Sequence, residues 1–179
     1  MTNNRKFSPR FLAEAALIAA MYTALTVAVS PIAYGEVQFR VSELLTILPV
    51  FTPVAIPGLT VGCLLSNLIG LGTGANIAGA WDLLWGTLAT LLAALATYGL
   101  RRVRFAKLPV LSALPAVIAN GVIVGAELTV VVFGGFTWPV FWVTAGWVAL
   151  GEFVTATVGG LILFGVLDKS GASKKIFAQ

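Results

Sequence analysis

The most constraining feature of this sequence is a run of 38 residues, 44–81, that contains no charged side chain. An α-helix rises 1.5 Å per residue, so a single helix of this length would measure about 57 Å, whereas the hydrocarbon core of a bilayer is about 30 Å thick. Three prolines interrupt the run, and proline breaks a helix because it has no amide donor. We therefore predict two short membrane spans here, 41–53 and 56–71.

The rest of the chain contains four more apolar stretches of the length that a membrane-crossing helix needs. They lie at 10–30, 82–100, 109–133 and 139–167. Hydrophobic residues make up 59% of the chain and charged residues 10%, against about half and about a quarter in soluble domains. The sequence therefore predicts an all-α membrane protein with six transmembrane helices, and it excludes a soluble globular fold and a disordered chain.

Two scarce residue types exclude several kinds of chemistry. The chain has no histidine, which excludes a His-based nucleophilic triad, a histidine proton relay and a structural zinc site. Cys63 is the single cysteine, so no intramolecular disulfide forms. The phosphate-binding pattern GxxxxGK(S/T) is absent. We predict no catalytic residue, metal or cofactor, and uphill transport would need an ion gradient or a partner protein.

The basic residues predict the orientation of the spans. Ten of the eleven precede the first span, separate the fourth from the fifth, or follow the sixth, which is one side of a six-span protein. The positive-inside rule makes that side cytoplasmic. We predict a multi-pass cell-membrane protein with both termini in the cytoplasm: a tail at 1–10, a substrate-binding domain at 11–167 and a tail at 168–179. These charges are topology anchors, not a nucleic-acid-binding patch.

The acidic residues follow the opposite distribution. Five of the seven fall in the predicted outer half, together with the remaining base, Arg40. The five are Glu36, Glu43, Asp82, Glu127 and Glu152. Ionisable groups within a membrane normally face a cavity or one another and mark a function. Asn120 lies two turns before Glu127, on the same helix face. The alternatives are a structural pair for Glu127 and Glu152, and a helix cap for Asp82.

Two tryptophans are candidates for stacking on a flat ligand. Trp85 shares a helix face with Asp82, and Trp147 lies deeper than the other tryptophans, on a stripe that has Glu152 at its margin. For tryptophans near the outer boundary, the alternative is an aromatic belt at the lipid interface.

The segment 34–43 alternates between polar and apolar residues. Polar residues occupy positions 36, 38, 40 and 42, and apolar residues occupy the positions between them. A period of two suits an extended segment. We predict that its apolar face packs on the bundle, that its other face carries Glu36, Gln38 and Arg40, and that it forms a lid. An ordinary connecting loop is the alternative.

An outer pocket with these residues would combine carboxylates, amides, one arginine and aromatic faces. Carboxylates accept hydrogen bonds, whereas amides both donate and accept them. Such a pocket suits a flat polar heterocycle that is rich in donors, including a cationic one. It does not suit a fatty acid or a phosphate.

A candidate partner surface lies on the first span. Ala16, Ala20 and Ala24 recur at every fourth position, with Ala15 and Ala19 alongside. Small residues at this spacing let another helix approach closely. Packing within the bundle alone is the alternative.

The sequence resembles the QueT family, the substrate-binding S components of energy-coupling factor (ECF) transporters for queuosine precursors. The resemblance is most specific over YGEVQFRVSELLTILP at 34–49, and it continues through GLTVGCLLSN, which ends at Asn67, and DLLWGTLATLLAA at 82–94. It extends to 120–127 and to Gly151-Glu152, and so covers nearly the whole chain. The glycine-rich stretch 70–79 is longer than expected for this family.

The resemblance implies an S-component-like bundle that binds solute from outside, under the loop joining the first two spans. It implies that an alanine motif on the first span, matched by Ala16 and Ala20, docks on a transmembrane coupling protein carried by two cytoplasmic ATPases. The implied ligand is a 7-deazaguanine, such as 7-aminomethyl-7-deazaguanine or queuine. One carboxylate would accept hydrogen bonds from the guanine-like edge, and another would face the aminomethyl cation.

The predicted function is therefore capture of a queuosine precursor for uptake by an ECF module, without catalysis. The candidate substrate-binding residues are Glu36, Gln38, Arg40, Glu43, Asn67, Asp82, Trp85, Asn120, Glu127, Trp147 and Glu152. The candidate docking residues are Ala15, Ala16, Ala19, Ala20 and Ala24. The alternatives are an S component for another flat vitamin, such as thiamine or riboflavin, and a stand-alone proton-coupled carrier that uses Glu127 and Glu152.

Overall fold

A computed structural model describes residues 8–35 and 37–171, and within these ranges the chain is helical with no β-strand. Most of the predicted tails, at 1–7 and 172–179, and the candidate residue Glu36 lie outside the described residues. The elements in chain order are α1 (Pro9–Ala28), α2 (Ser30–Ala33), a 3₁₀ helix (Val41–Val50, the return helix), α3 (Ala55–Gly72), α4 (Trp81–Leu100), a 3₁₀ turn (Val110–Ala113), α5 (Pro115–Val131), α6 (Trp138–Glu152), a π-helical segment (Phe153–Gly159) and α7 (Gly160–Lys169).

Five helical stretches are long and apolar enough to cross a membrane, and each coincides with a predicted span. They are Pro9–Ala28, Ala55–Gly72, Trp81–Leu100, Val110–Val131 and Trp138–Lys169. The remaining predicted span coincides with the return helix. Ten residues of 3₁₀ helix rise only about 20 Å, which is less than a hydrocarbon core of about 30 Å. The prediction of an all-α membrane fold is confirmed.

Contacts between helices establish their relative directions. Gly58 of α3 faces Ile18 of α1, and Gly62, one turn later, faces Tyr22, so α1 and α3 run parallel. A chain that joins two parallel neighbours must travel back along the bundle between them. The return helix does this, and it packs alongside the π-helical segment and the start of α7, where Gly159 and Gly160 face it.

Glycine allows α5 and α6 to approach closely. A Cβ atom at Gly125 would lie 2.7 Å from Ala145 Cα, and one at Gly121 would lie 3.2 Å from Ala149 Cβ. Both distances are shorter than the normal carbon–carbon contact of about 3.5–4.0 Å. The GxxxG spacing of these glycines therefore serves packing inside the bundle.

The two ends of the bundle differ in charge. At one end, the basic end, α1 has Arg10 in its first turn, α4 is followed by Arg101, and α7 ends at Lys169. The Arg104 guanidinium lies 4.9 Å from the centre of the Phe164 ring, which ties the α4–α5 connection to α7. The opposite end, the acidic end, contains the 34–40 loop and the first turn of α4.

Candidate binding site

The 34–40 loop folds into the acidic end of the bundle. Gln38 is 2% exposed and Arg40 is 3% exposed, whereas Val37 and Phe39 are only half-buried. The alternation of two faces is therefore present, but the prediction that Gln38 and Arg40 lie away from the bundle is wrong. The polar face is the inner one, and the partners of Arg40 are buried polar groups.

Gly151 of α6 supports the backbone of this loop. A Cβ atom at Gly151 would clash with the Val37 carbonyl oxygen and would lie 2.9 Å from the Gln38 carbonyl oxygen. Gln38 itself has a left-handed backbone, with φ of 49°, and the Arg40 amide donates to its carbonyl at 2.9 Å. Glycine is the residue that permits this approach, since any side chain at position 151 would displace the loop.

A buried ion pair anchors the loop to α4. Arg40 Nη2 lies 2.5 Å from Asp82 Oδ2, and the two side chains are 3% and 0% exposed. Arg40 Nε also donates to the Ala33 carbonyl at 3.2 Å, and the guanidinium lies 5.3 Å from the centre of the Tyr34 ring. Arg40 therefore acts as the centre of the loop's attachment and is fully engaged by protein groups.

Asp82 is held from several sides. Asn76 Nδ2 donates to its carboxylate at 2.8 Å, and Asn67 Nδ2 donates to its backbone carbonyl at 2.8 Å. The second carboxylate oxygen, Oδ1, lies over Gly86 and has no hydrogen-bond partner among the described residues. The predicted alternative of a simple helix cap does not describe Asp82, because its carboxylate pairs with Arg40.

Glu43 begins a second group of buried acids. The Tyr22 hydroxyl donates to Glu43 Oε1, while Glu43 Oε2 has no partner among the described residues. Glu152, at the junction of α6 and the π-helical segment, is 1% exposed and lies close enough to Glu43 and Asn120 to interact with both. Its Oε2 atom and the Asn120 amide nitrogen also lack hydrogen bonds.

Hydrogen-bond acceptors outnumber donors among the unpaired atoms of this group. We define the acidic-end cluster as Gln38, Arg40, Glu43, Asn67, Asp82, Asn120, Glu127 and Glu152. Its unpaired buried acceptors are Glu43 Oε2, Asn67 Oδ1, Asp82 Oδ1, Glu152 Oε2 and both carboxylate oxygens of Glu127, and its unpaired buried donors are Gln38 Nε2 and Asn120 Nδ2. Buried polar atoms are normally hydrogen-bonded, so this set is suited to a ligand that supplies donors.

Glu127 connects the cluster to a groove on the side of the bundle. The groove encloses about 410 Å³ between α4 and α5, within the range of about 300–1,000 Å³ that is typical of small-molecule sites. Trp81 and Trp85 form one wall, and apolar residues of α5 form the other. Glu127 lines the groove and is 6% exposed. Its carboxyl group interacts electrostatically with Asp82 and Arg40.

Two predicted site residues lie at the margin of this arrangement or outside it. Trp85 is 37% exposed and contributes to the groove beside Glu127, but not to the cluster itself. Trp147 is 47% exposed on the outer face of α6, and the structure does not bring it to the other candidates. Its neighbour Val148 occupies a buried position instead, whereas the other predicted members of the stripe, Thr144, Gly151 and Thr155, are buried.

Two residues that bind members of the cluster were not predicted from the sequence. Tyr22 is fully buried and binds Glu43, and Asn76 binds Asp82. Tyr22 carries a detectable signal, since it is a polar aromatic residue within an apolar span. Asn76 falls in the glycine-rich stretch 70–79, where no periodicity indicates which side chain points inward.

The predicted docking residues separate onto two faces of α1. Ala16, Ala20 and Ala24 are exposed. Ala19 is buried against Gly62 of α3, so it cannot contact a partner protein, and Ala15 is half-buried where α1 meets Gly58. The alanine repeat at every fourth residue is thus an open face, and its two neighbours belong to the packing of α1 on α3.

Within the described residues, no group of three or more Cys, Asp or Glu side chains is arranged to hold a metal ion. The fold and the cluster define a polytopic α-helical membrane protein with a group of buried, unpaired polar atoms. A family model described as "QueT transporter" matches residues 12–169. The chain therefore belongs to the QueT transporter family.

A curated relative agrees with this assignment. The protein named "Queuosine precursor transporter QueT" from Lactococcus lactis subsp. cremoris (strain MG1363) is 38% identical over 80 residues, which is 43% of this chain. The aligned part of the chain spans 43% of that relative's length, less than half. No solved structure is significantly similar to the chain.

Proposed function

We propose that this chain is the substrate-binding component of an ATP-driven uptake system and that it captures a queuosine precursor of the 7-deazaguanine type from outside the cell. Membership in the QueT transporter family and the name of the Lactococcus relative support this ligand class. The observation that carries the proposal is the excess of unpaired acceptors in the acidic-end cluster. A guanine-like edge presents several N–H donors, and the unpaired oxygens of the cluster would accept hydrogen bonds from them.

The proposed topology has six traverses, with residues 11–167 in the membrane and tails at 1–10 and 168–179 in the cytoplasm. The parallel arrangement of α1 and α3 supports it, because the return helix then carries the chain back across the bundle. The described basic residues at one end of the bundle support a cytoplasmic basic end. The acidic-end cluster would then open to the outside, and Glu36 would contribute from the same loop.

The proposed partner is an ECF module, a transmembrane coupling protein with two cytoplasmic ATPases. The open face of Ala16, Ala20 and Ala24 supports docking through α1, because small residues permit close helix contact in a membrane. Energy would come from the partner, since the chain has no phosphate-binding loop. The chain itself would bind and release solute without catalysing a reaction.

Calorimetric binding to the purified chain tests this function. 7-Aminomethyl-7-deazaguanine is titrated in detergent, with queuine, guanine, thiamine and riboflavin as comparators. Tight binding of a deazaguanine alone supports the proposal. Binding of thiamine or riboflavin instead contradicts the substrate and leaves the S-component class. Binding of none of them, with proton flux in liposomes, favours a carrier that uses Glu127 and Glu152.

Matched variants test whether the cluster is the site. Glu152→Gln keeps the shape of the side chain and removes the charge, and we expect affinity to fall about tenfold or more, as for the loss of a charged hydrogen-bond acceptor. Glu14→Gln is the control, because Glu14 lies on α1 near the basic end and pairs with Arg10. Equal affinity of both variants and the parent chain would remove the cluster from the proposal.

A further inference from the structure

Glu127, unlike Glu43 and Asp82, accepts no hydrogen bond on either carboxylate oxygen from any described residue. Glu43 is bound by Tyr22, and Asp82 is bound by Arg40 and Asn76. Both Glu127 oxygens are buried and accept no hydrogen bond from any described residue. A carboxylate in an apolar setting is unfavourable unless it is paired, so a positively charged or strongly donating ligand group would stabilise the ionised form of Glu127.

No base in the described part of the chain is available for that role. Arg40 is the one described base at the acidic end, and its guanidinium is already engaged with Asp82, the Ala33 carbonyl and the face of Tyr34. The other described bases lie at the basic end. A cation that pairs with Glu127 would therefore be supplied from outside the described chain.

The walls of the groove indicate what kind of cation fits. Trp81 and Trp85 project into the same 410 Å³ space as Glu127, with apolar residues of α5 opposite. Tryptophan is the aromatic residue that attracts cations most strongly, through the negative face of its ring. A small ammonium group between a carboxylate and an indole face satisfies both.

We propose that the tryptophan groove is the subsite for a primary ammonium group carried by a flat aromatic ligand, with Glu127 as its ion-pair partner and Trp85 as a cation–π wall. The ring itself would bind in the acidic-end cluster, where Glu43, Glu152 and Asn120 present their unpaired atoms. The identity of the ring rests on the proposed function, but the selection of an ammonium substituent rests on Glu127 and the groove alone. Glu127 is thus a specificity-determining residue that distinguishes a cationic substituent from a neutral one.

The test compares two ligands that share one ring. 7-Aminomethyl-7-deazaguanine carries an ammonium group, and 7-cyano-7-deazaguanine carries a neutral nitrile at the same position. Affinities are measured by calorimetry in phosphatidylcholine nanodiscs, whose lipid has no primary ammonium to compete. We expect the parent chain to prefer the aminomethyl ligand, and Glu127→Gln to lose about 10- to 100-fold in affinity for it alone.

The control variant is Val122→Ala, which alters the same groove without touching its charge. It should leave the ratio of the two affinities unchanged. Equal losses for both ligands in Glu127→Gln, or no loss for either, would overturn the ammonium assignment while the proposed function stands.

A second measurement is independent of the deazaguanine ring. Saturation-transfer NMR compares benzylammonium with benzyl alcohol on the parent chain and on Glu127→Gln. We expect the parent chain to favour benzylammonium and the variant to lose that preference. If neither deazaguanine binds, the proposed function is wrong, but this comparison still tests the role of Glu127. If the parent chain shows no preference for benzylammonium over benzyl alcohol, the ammonium assignment is wrong.

Discussion

Removing one partner of the Arg40–Asp82 pair should destabilise the protein strongly. In Arg40→Met, the Asp82 carboxylate keeps only its Asn76 hydrogen bond and stays buried, since its side chain is 0% exposed. Breaking a buried ion pair in this way typically costs about 3–5 kcal/mol. For a chain of this size the midpoint of thermal unfolding moves about 2–4 °C per kcal/mol, so we expect a decrease of about 6–20 °C.

The single cysteine provides the assay. Cys63 is fully buried, so a thiol-reactive fluorophore reports unfolding as the thiol becomes exposed during a temperature ramp. Arg40 Nη1 lies 4.0 Å from the Cys63 sulfur, so replacing Arg40 also changes the surroundings of the thiol. Tryptophan fluorescence therefore serves as a second probe of unfolding that does not depend on thiol reactivity. Both probes should give the same midpoint if unfolding is cooperative.

A double variant separates the pair from its surroundings. Arg40→Met combined with Asp82→Leu leaves no unpaired charge, and it should recover much of the loss because apolar replacements of buried pairs are often tolerated. Arg10→Met is the control, since Arg10 pairs with Glu14 at a side-chain exposure of 64%, and exposed pairs contribute little. Additive losses in the double variant, or a midpoint for Arg40→Met equal to that of Arg10→Met, would refute the reasoning.

Three further changes test other contacts. Gly151→Ala should displace the loop that contacts α6 and should weaken ligand binding measured by calorimetry. The control is Gly146→Ala, whose added methyl group meets open space and should leave the affinity unchanged. Equal ligand affinities of the two variants would contradict the loop contact. Gly125→Ala should lower the free energy of unfolding by about 1–3 kcal/mol through overpacking against α6, and an unchanged thermal midpoint would contradict that contact. Ala20→Trp should abolish uptake into cells that contain the partner module and should leave solute binding unchanged. The control is Leu95→Trp, on the exposed face of α4, which should affect neither uptake nor binding. If the Ala20→Trp variant still supports uptake, α1 is not the docking face.

The helical spans were predictable because their signals are carried by composition. Runs without charge mark the interior of the membrane, and clusters of bases mark their ends, so the predicted bounds agree with the helices to within a few residues. The type of helix was not predictable. The same apolar residues occur in α, 3₁₀ and π helices, so composition does not distinguish these types. The 3₁₀ form of Val41–Val50 depends on which backbone carbonyls accept hydrogen bonds from its amides.

The buried acids were predictable for a related reason. An ionisable residue in an apolar span is conspicuous, and Asp82, Glu127 and Glu152 are all buried at the acidic end. Which acid binds which partner was not predictable, because that depends on side-chain geometry between helices. Trp147 illustrates the limit of helical periodicity: one position on a helix is about 100° of rotation, which was enough to exchange a buried place for an exposed one.

The 34–40 loop shows why the reading of a polar pattern must change in a membrane. In a soluble protein the apolar face of an alternating segment is the inner one, because water surrounds the fold. Around a membrane bundle the apolar solvent is outside, so polar side chains gain most by facing each other inside. Arg40 and Gln38 follow this inverted rule, and their burial beside Asp82 and Gly151 places the loop within the acidic-end cluster instead of above it. Because Arg40 holds this loop to Asp82, a ligand that reached the cluster through the loop would require the Arg40–Asp82 pair to separate.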